Sequence, residues 1–263
     1  MSKALPESHR LFLAQNVEKL RGDSRLVGVA VGGSFVLGTM DEFSDLDLVV
    51  VIDPAHWTDV MADRFKIAAQ LGSFLAGFTG EHVGEPRLLI CLYGPPLLHV
   101  DLKFVSVIDF STRVEDPVVL WEKDDELSRE IKGSEAVFPA PNKRWIEDRF
   151  WIWVHYATVK IGRGEFFEAL DFLSFLRSAV LGPLILERQG RRPQGVRRIE
   201  EYGGEYLPLL IQTIATHERT SCFAALRAAI RLYGLLKENS TESAVEIETM
   251  KFLAEVEGLP RGR

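Results

Sequence analysis

The sequence predicts an α/β (α+β) fold: a mixed-sheet domain over residues 1–112, then an all-helical domain over residues 113–263. Three observations predict it. Apolar, valine-rich runs of strand length fall at Leu26–Val31, Asp45–Ile52, Arg87–Tyr93 and Leu97–Val107, all before residue 110. Beyond that point the apolar residues recur at helical spacing instead. The change of period near residue 115 marks the domain boundary.

Each element follows from its own residues. Ser8–Leu20 places Leu11, Ala14, Val17 and Leu20 at helical spacing. Leu26–Val31, LVGVAV, reads as a short buried strand. Gly32 and Gly33 break that run, and Ser34 is expected to cap a short helix over Phe35–Leu37. Asp45–Ile52, DLDLVVVI, is apolar throughout after Asp47, which suits a central strand covered on both faces. Thr58–Ala76 carries Val60, Phe65, Ile67, Ala68, Leu71 and Leu75 and predicts a helix. Gly94-Pro95-Pro96 separates the last two strands, as in a hairpin or two neighbouring strands. Helices are then expected over Asp124–Ile131, Asn142–Ile161, Glu165–Arg188, Tyr206–Ala215, Ser221–Lys237 and Thr241–Glu257. The third of these should kink at Gly182-Pro183.

Composition narrows the function classes. The chain has 263 residues, 31 Lys and Arg against 38 Asp and Glu, and a net charge of −7. That balance speaks against a broad nucleic-acid groove and suits a cationic small molecule. Cys91 and Cys222 lie far apart in no metal spacing, as expected of a reduced, cytoplasmic setting. MSKALPESHR has no apolar run of signal-peptide type, and no stretch of 18 apolar residues lacks a charge, so no membrane span is expected.

The chemistry concentrates at Asp45 and Asp47. Residues two apart on a strand share a face. Two adjacent carboxylates repel, which raises a pKa. A divalent cation removes the conflict, and Mg²⁺ is commonly held by one or two carboxylates together with substrate phosphates. Asp101 is the natural third, because it interrupts the apolar run LLHVDLKFV, where a charge is costly unless paired or metal-bound. A turn cap at Asp45, an arginine partner for Asp47 and solvent for Asp101 would account for each residue singly. The upstream Gly32-Gly33-Ser34 supplies a complementary half. Its glycines allow close backbone approach, and its amides and the Ser34 hydroxyl can donate to an anion. The segment is neither a P-loop nor a dinucleotide fingerprint.

Gly32-Gly33-Ser34, then Asp45-Leu46-Asp47, then Asp101 together resemble the polymerase-β-like nucleotidyltransferase superfamily. The resemblance covers about residues 25 to 107. In length and in its helical second half the chain is similar to the antibiotic nucleotidyltransferases that modify aminoglycosides or lincosamides. The resemblance implies a nucleotidyltransferase domain in the N-terminal part and a helical substrate-binding domain after it. It implies Mg²⁺-dependent transfer of a nucleoside monophosphate, AMP first, from an NTP such as ATP to a hydroxyl of a small molecule. Gly33 and Ser34, with Gly32, would hold the phosphates. Asp45, Asp47 and Asp101 would hold metal, and Asp101 would also activate the acceptor.

Other residues stay open. Lys160, Arg163 and Lys103 are candidate cations for a triphosphate, with Lys160 first, although a cation at a helix C-terminus is also ordinary dipole complementation. Glu165 and Asp171 follow Asp101 as candidate bases, and His99 is a base or a paired strand histidine. Glu147 and Asp148 are candidate receivers of a cationic acceptor or a solvated helix face. The aromatic segment RFWIWVHYA, with Trp151 and Trp153 on opposite helix sides, reads as core. Two other functions remain: nucleotidyl transfer to a protein or nucleic-acid acceptor, and a non-catalytic, antitoxin-like binding partner. A monomer or a homodimer fits either.

Overall fold

The computed structural model describes residues 5–238 and 243–260 and divides into two compact units, Met1–Phe138 and Pro139–Arg263. In the first, α1 (Glu7–Arg21), β1 (Leu26–Val31), α2 (Gly33–Val36), β2 (Leu46–Ile52), α3 (Trp57–Gln70), β3 (Phe74–Gly80), β4 (Glu85–Tyr93) and β5 (Leu98–Ser106) follow in order. They are completed by α4 (Val107–Ser111), β6 (Val118–Glu122) and α5 (Glu126–Gly133). The six strands form one mixed sheet in the order β3-β4-β5-β2-β1-β6. β2 and β5 run parallel, and the other neighbours run antiparallel.

Period-2 alternation builds the sheet's two faces. Leu46, Leu48, Val50 and Ile52 of β2 and Leu98, Val100, Leu102 and Phe104 of β5 point one way. They are buried against Phe12, Leu13 and Leu20 of α1 and Val60, Ile67 and Ala68 of α3. Each such aliphatic side chain contributes about 1.5–3 kcal/mol. On the other face, Val51 and Val105 join Phe110 of α4 and Leu127 of α5 in a smaller cluster. That cluster covers the C-terminal ends of β2 and β5. Asp47, near the start of β2, and Asp101, opposite it on β5, stay half-buried. β2 is therefore covered on both faces along only part of its length.

Two strands and one helix end differ from the sequence reading. The helix expected over Thr58–Ala76 stops at Gln70, and Phe74–Gly80 becomes the edge strand β3. Leu75 and Phe78 are exposed there, so β3 has no alternating apolar signature to read. β6 lies beyond the expected boundary at 112/113 and pairs with β1, with Val118 opposite Val31. The hairpin across Gly94-Pro95-Pro96 forms as β4 against β5.

The second unit is helical: α6 (Lys143–Gly162), α7 (Phe166–Leu176), α8 (Gly182–Arg188), α9 (Ile199–Tyr202), α10 (Leu207–Ile211), α11 (Arg219–Leu236) and α12 (Ala244–Gly258). Asn142 caps α6 by accepting the Trp145 N–H at 2.9 Å. Ile146, Phe150, Val154, Ala157 and Ile161 form the buried stripe of that helix. Phe150 stacks on Tyr233 of α11 at 3.7 Å. A π-helical turn, Arg177–Leu181, joins α7 to α8 just before Gly182-Pro183. Pro183 has no N–H to continue the ladder, and the Gly182 N–H reaches back to the Arg177 carbonyl. Phe166–Arg188 is long and apolar enough to cross a membrane by length and composition, with 56% of its most apolar window buried.

The segment RFWIWVHYA divides between core and surface. Trp151 is 4% exposed and packs in the core. Trp153 instead meets Trp145 at 5.0 Å and Phe175 at 5.2 Å, while His155 stacks on Phe252 at 4.8 Å. Helix α10 is shorter than the expected Tyr206–Ala215. Thr241 and Glu242, where the last helix was expected to begin, lie outside the described residues.

Candidate active site

Strand β1 delivers the glycine turn directly over β2. The Gly32 N–H donates to the Asp47 carbonyl at 2.8 Å. Gly33 has φ +61°, and a Cβ built there would lie 1.9 Å from Asp47 Oδ2. Only glycine fits, for both reasons. The backbone of the turn therefore rests against the Asp47 carboxylate. Ser34 does not cap α2. Gly32 takes the cap position, and Ser34 lies inside the first turn with its Oγ buried and without a partner. The helix has four residues, so its dipole adds little.

Asp45 is set by the loop before β2. Asp41 accepts from the Phe43 N–H and the Ser44 hydroxyl, each at 3.0 Å. His9 of α1, 1% exposed, donates Nε2–H to the Ser44 carbonyl at 2.6 Å and ties the helix to this loop. Parallel pairing of β2 with β5 places Asp47 opposite Asp101. Ligand oxygens of Asp45, Asp47 and Asp101 all lie within 4.8 Å of one another.

The cluster carries electrostatic strain. The Asp101 side chain is 19% exposed. Burial pushes its carboxyl above the ordinary value, His99 at 2.9 Å pulls it back, and the Asp45 charge adds to the rise. Three anionic oxygen donors at this spacing fit a small, hard cation such as Mg²⁺. His99 itself is the paired strand histidine, with Nε2 on Asp101.

Each candidate cation has a carboxylate within 4 Å. Lys103, one position pair along β5, meets Glu85 at 2.9 Å. Arg87 bridges Glu85 at 2.7 Å and Asp109 at 3.2 Å. Arg87, then Lys103, holds the Glu85 carboxyl down at about 2. In the helical unit, Lys160 lies 2.7 Å from Glu165 and 2.9 Å from Glu168, and these carboxylates hold its ammonium above the ordinary value. Arg163 is 3.9 Å from Glu165. Glu147 accepts the Tyr233 hydroxyl, Asp148 pairs with Arg144 at 3.0 Å, and Asp171 is exposed.

One residue at the turn has no sequence signal. Glu115, between α4 and β6, accepts the Gly33 N–H through Oε1 at 2.6 Å. It is 82 residues away and belongs to no motif, so only the fold reveals the contact.

No curated protein matches the chain. Among solved structures, a nucleotidyltransferase-like protein from Exiguobacterium sibiricum is similar at 12% identity and a TM-score of 0.39, over 95% of this chain and 87% of that one. Residues 13–82, which contain the Gly32-Gly33-Ser34 turn, Asp45 and Asp47, match the nucleotidyltransferase domain family.

Proposed function

We propose that the chain transfers a nucleoside monophosphate, AMP first, from a nucleoside triphosphate to a hydroxyl of a small, cationic acceptor of aminoglycoside or lincosamide type. The observation that carries this reading is the set of three aspartates within 4.8 Å, with the glycine backbone laid against one of them. The family match over residues 13–82 supports the same reaction class. The net charge of −7 favours a cationic acceptor over a polymeric anion.

Asp45, Asp47 and Asp101 would hold Mg²⁺. When bound, the ion would neutralise charge on the phosphates and lower the pKa of an adjacent hydroxyl. The Gly33 amide and the orphan Ser34 hydroxyl donate to phosphate oxygens. Asp101, held opposite Asp47 by the pairing of β2 with β5, accepts the acceptor's proton. The acceptor oxygen bonds to the α-phosphorus, the bond to the β-phosphate oxygen breaks, and pyrophosphate leaves.

The test is calorimetric titration of ATP, GTP, CTP and UTP, with and without Mg²⁺, into the wild type and the Asp45→Asn/Asp47→Asn double variant. Magnesium-dependent binding that the variant loses is expected. Equal binding by both proteins, or none by the wild type, would refute the reading.

A further inference from the structure

We propose that Glu115 is an internal occupant of the phosphate position at Gly33, and that a triphosphate binds only by displacing it. The inference rests on the nucleotide reading above. The Glu115 carboxylate and a phosphate oxygen are the same kind of ligand for a backbone amide: anionic acceptors of one N–H. The Gly33 N–H donates to Glu115 Oε1 at 2.6 Å. A Cβ on Gly32 would lie 2.8 Å from that same oxygen. The space left by the missing glycine side chain is filled by the carboxylate.

The fold builds this contact from both sides. Upstream, the Arg113 side chain is 8% exposed and anchors the segment. Its guanidinium donates to the Ile131 carbonyl at 3.0 Å and to the Ser134 carbonyl at 2.7 Å. It also donates to the Ser134 hydroxyl and to Asp116, each at 2.6 Å. The Val137 N–H closes on the Arg113 carbonyl at 3.0 Å. Downstream, Val118 pairs with Val31, the residue just before Gly32. Glu115 is thus delivered to the turn by an anchored segment.

The consequence is competition. One N–H cannot serve both anions, and a carboxylate beside an incoming triphosphate also repels it. Ending the contact should tighten nucleotide binding by between about tenfold and 100-fold, the range for a hydrogen bond to a charged group. Two variants separate occupancy from simple repulsion. Glu115→Ala removes reach and charge together. Glu115→Asp keeps the charge but is one methylene too short to reach Gly33.

The experiment measures calorimetric affinity for ATP, GTP, CTP and UTP with Mg²⁺ in the wild type and both variants. The Gly33 amide proton resonance is recorded in the nucleotide-free proteins, with thermal melts as the folding control. Tighter binding in both variants, with the Gly33 resonance moved upfield, is the expected result. Unchanged or weaker binding in Glu115→Asp, or an unmoved Gly33 resonance, overturns the proposal while leaving the nucleotide site standing. Absence of nucleotide binding in all three proteins removes the nucleotide reading and this inference with it.

Discussion

Two clusters of charge, one in each unit, follow opposite rules. On the sheet, Asp45, Asp47 and Asp101 bring like charges within 4.8 Å, and burial with Asp45 raises the Asp101 carboxyl. Among the helices, Lys160 sits between Glu165 and Glu168, at 2.7 and 2.9 Å, and opposite charges settle one another. Glu85 with Arg87 and Lys103 repeats the neutralised pattern on the aspartates' own sheet. A neutralised cluster needs nothing further to be stable. The aspartate cluster gathers like charges, with His99 at 2.9 Å on Asp101; a cation among them would relieve their repulsion, which makes it the place to look for chemistry.

The largest break in this contrast should come from Asp47→Asn. Turnover is expected to fall about 10³-fold or more, because the metal supplies several kcal/mol of transition-state stabilisation. A steady-state assay of pyrophosphate release measures it, and wild-type rates would end the assignment. Next is Glu85→Gln. The folded carboxyl is held at about 2 against an ordinary 4.5, so its stabilisation is present above pH 4.5 and is lost as pH falls through about 2. Urea midpoints for the wild type should decline over that window, and the variant should lose ~1–3 kcal/mol of the stability otherwise present above it.

Asp101→Asn should move stability the other way. A carboxyl whose folded pKa lies above its unfolded value destabilises the fold once pH rises past both. In metal-free buffer at neutral pH the variant is expected to melt at a higher temperature than the wild type. A lower melting temperature would mean that the contact with His99 at 2.9 Å outweighs the cost of burying the charge. The smallest effect is expected from Lys160→Met. With its charge shared between Glu165 and Glu168, its loss should change magnesium-nucleotide affinity by less than about twofold. A tenfold loss would instead put Lys160 on the phosphates.

Much of the site can be read along the chain because its geometry is local. Asp47 takes its face from the strand period, Asp45 stands two residues earlier in the loop that enters β2, and Gly33 stands where φ turns positive. What brings Asp101 to them is the parallel pairing of β2 with β5, a contact between segments about 50 residues apart that no local period encodes. β3 escapes notice because its leucine and phenylalanine face solvent at a sheet edge. β6 carries a β-branched start, Val118-Val119, right after Pro117, a strand signal outweighed by the helical pattern around it. Ser34 has the right chemistry for a cap, but the left-handed Gly33 starts the helix two residues earlier, with Gly32 at the cap. Glu115 leaves no trace in the sequence, because only the Arg113 anchor and the β6–β1 pairing put it at Gly33.

The central claim is that the three aspartates form a cation site. Mn²⁺ binding followed by electron paramagnetic resonance, in the wild type and in Asp45→Asn/Asp47→Asn, tests it without substrate or turnover. The account predicts saturable Mn²⁺ binding that Mg²⁺ competes away and the double variant lacks. Equal Mn²⁺ binding by both proteins would contradict it.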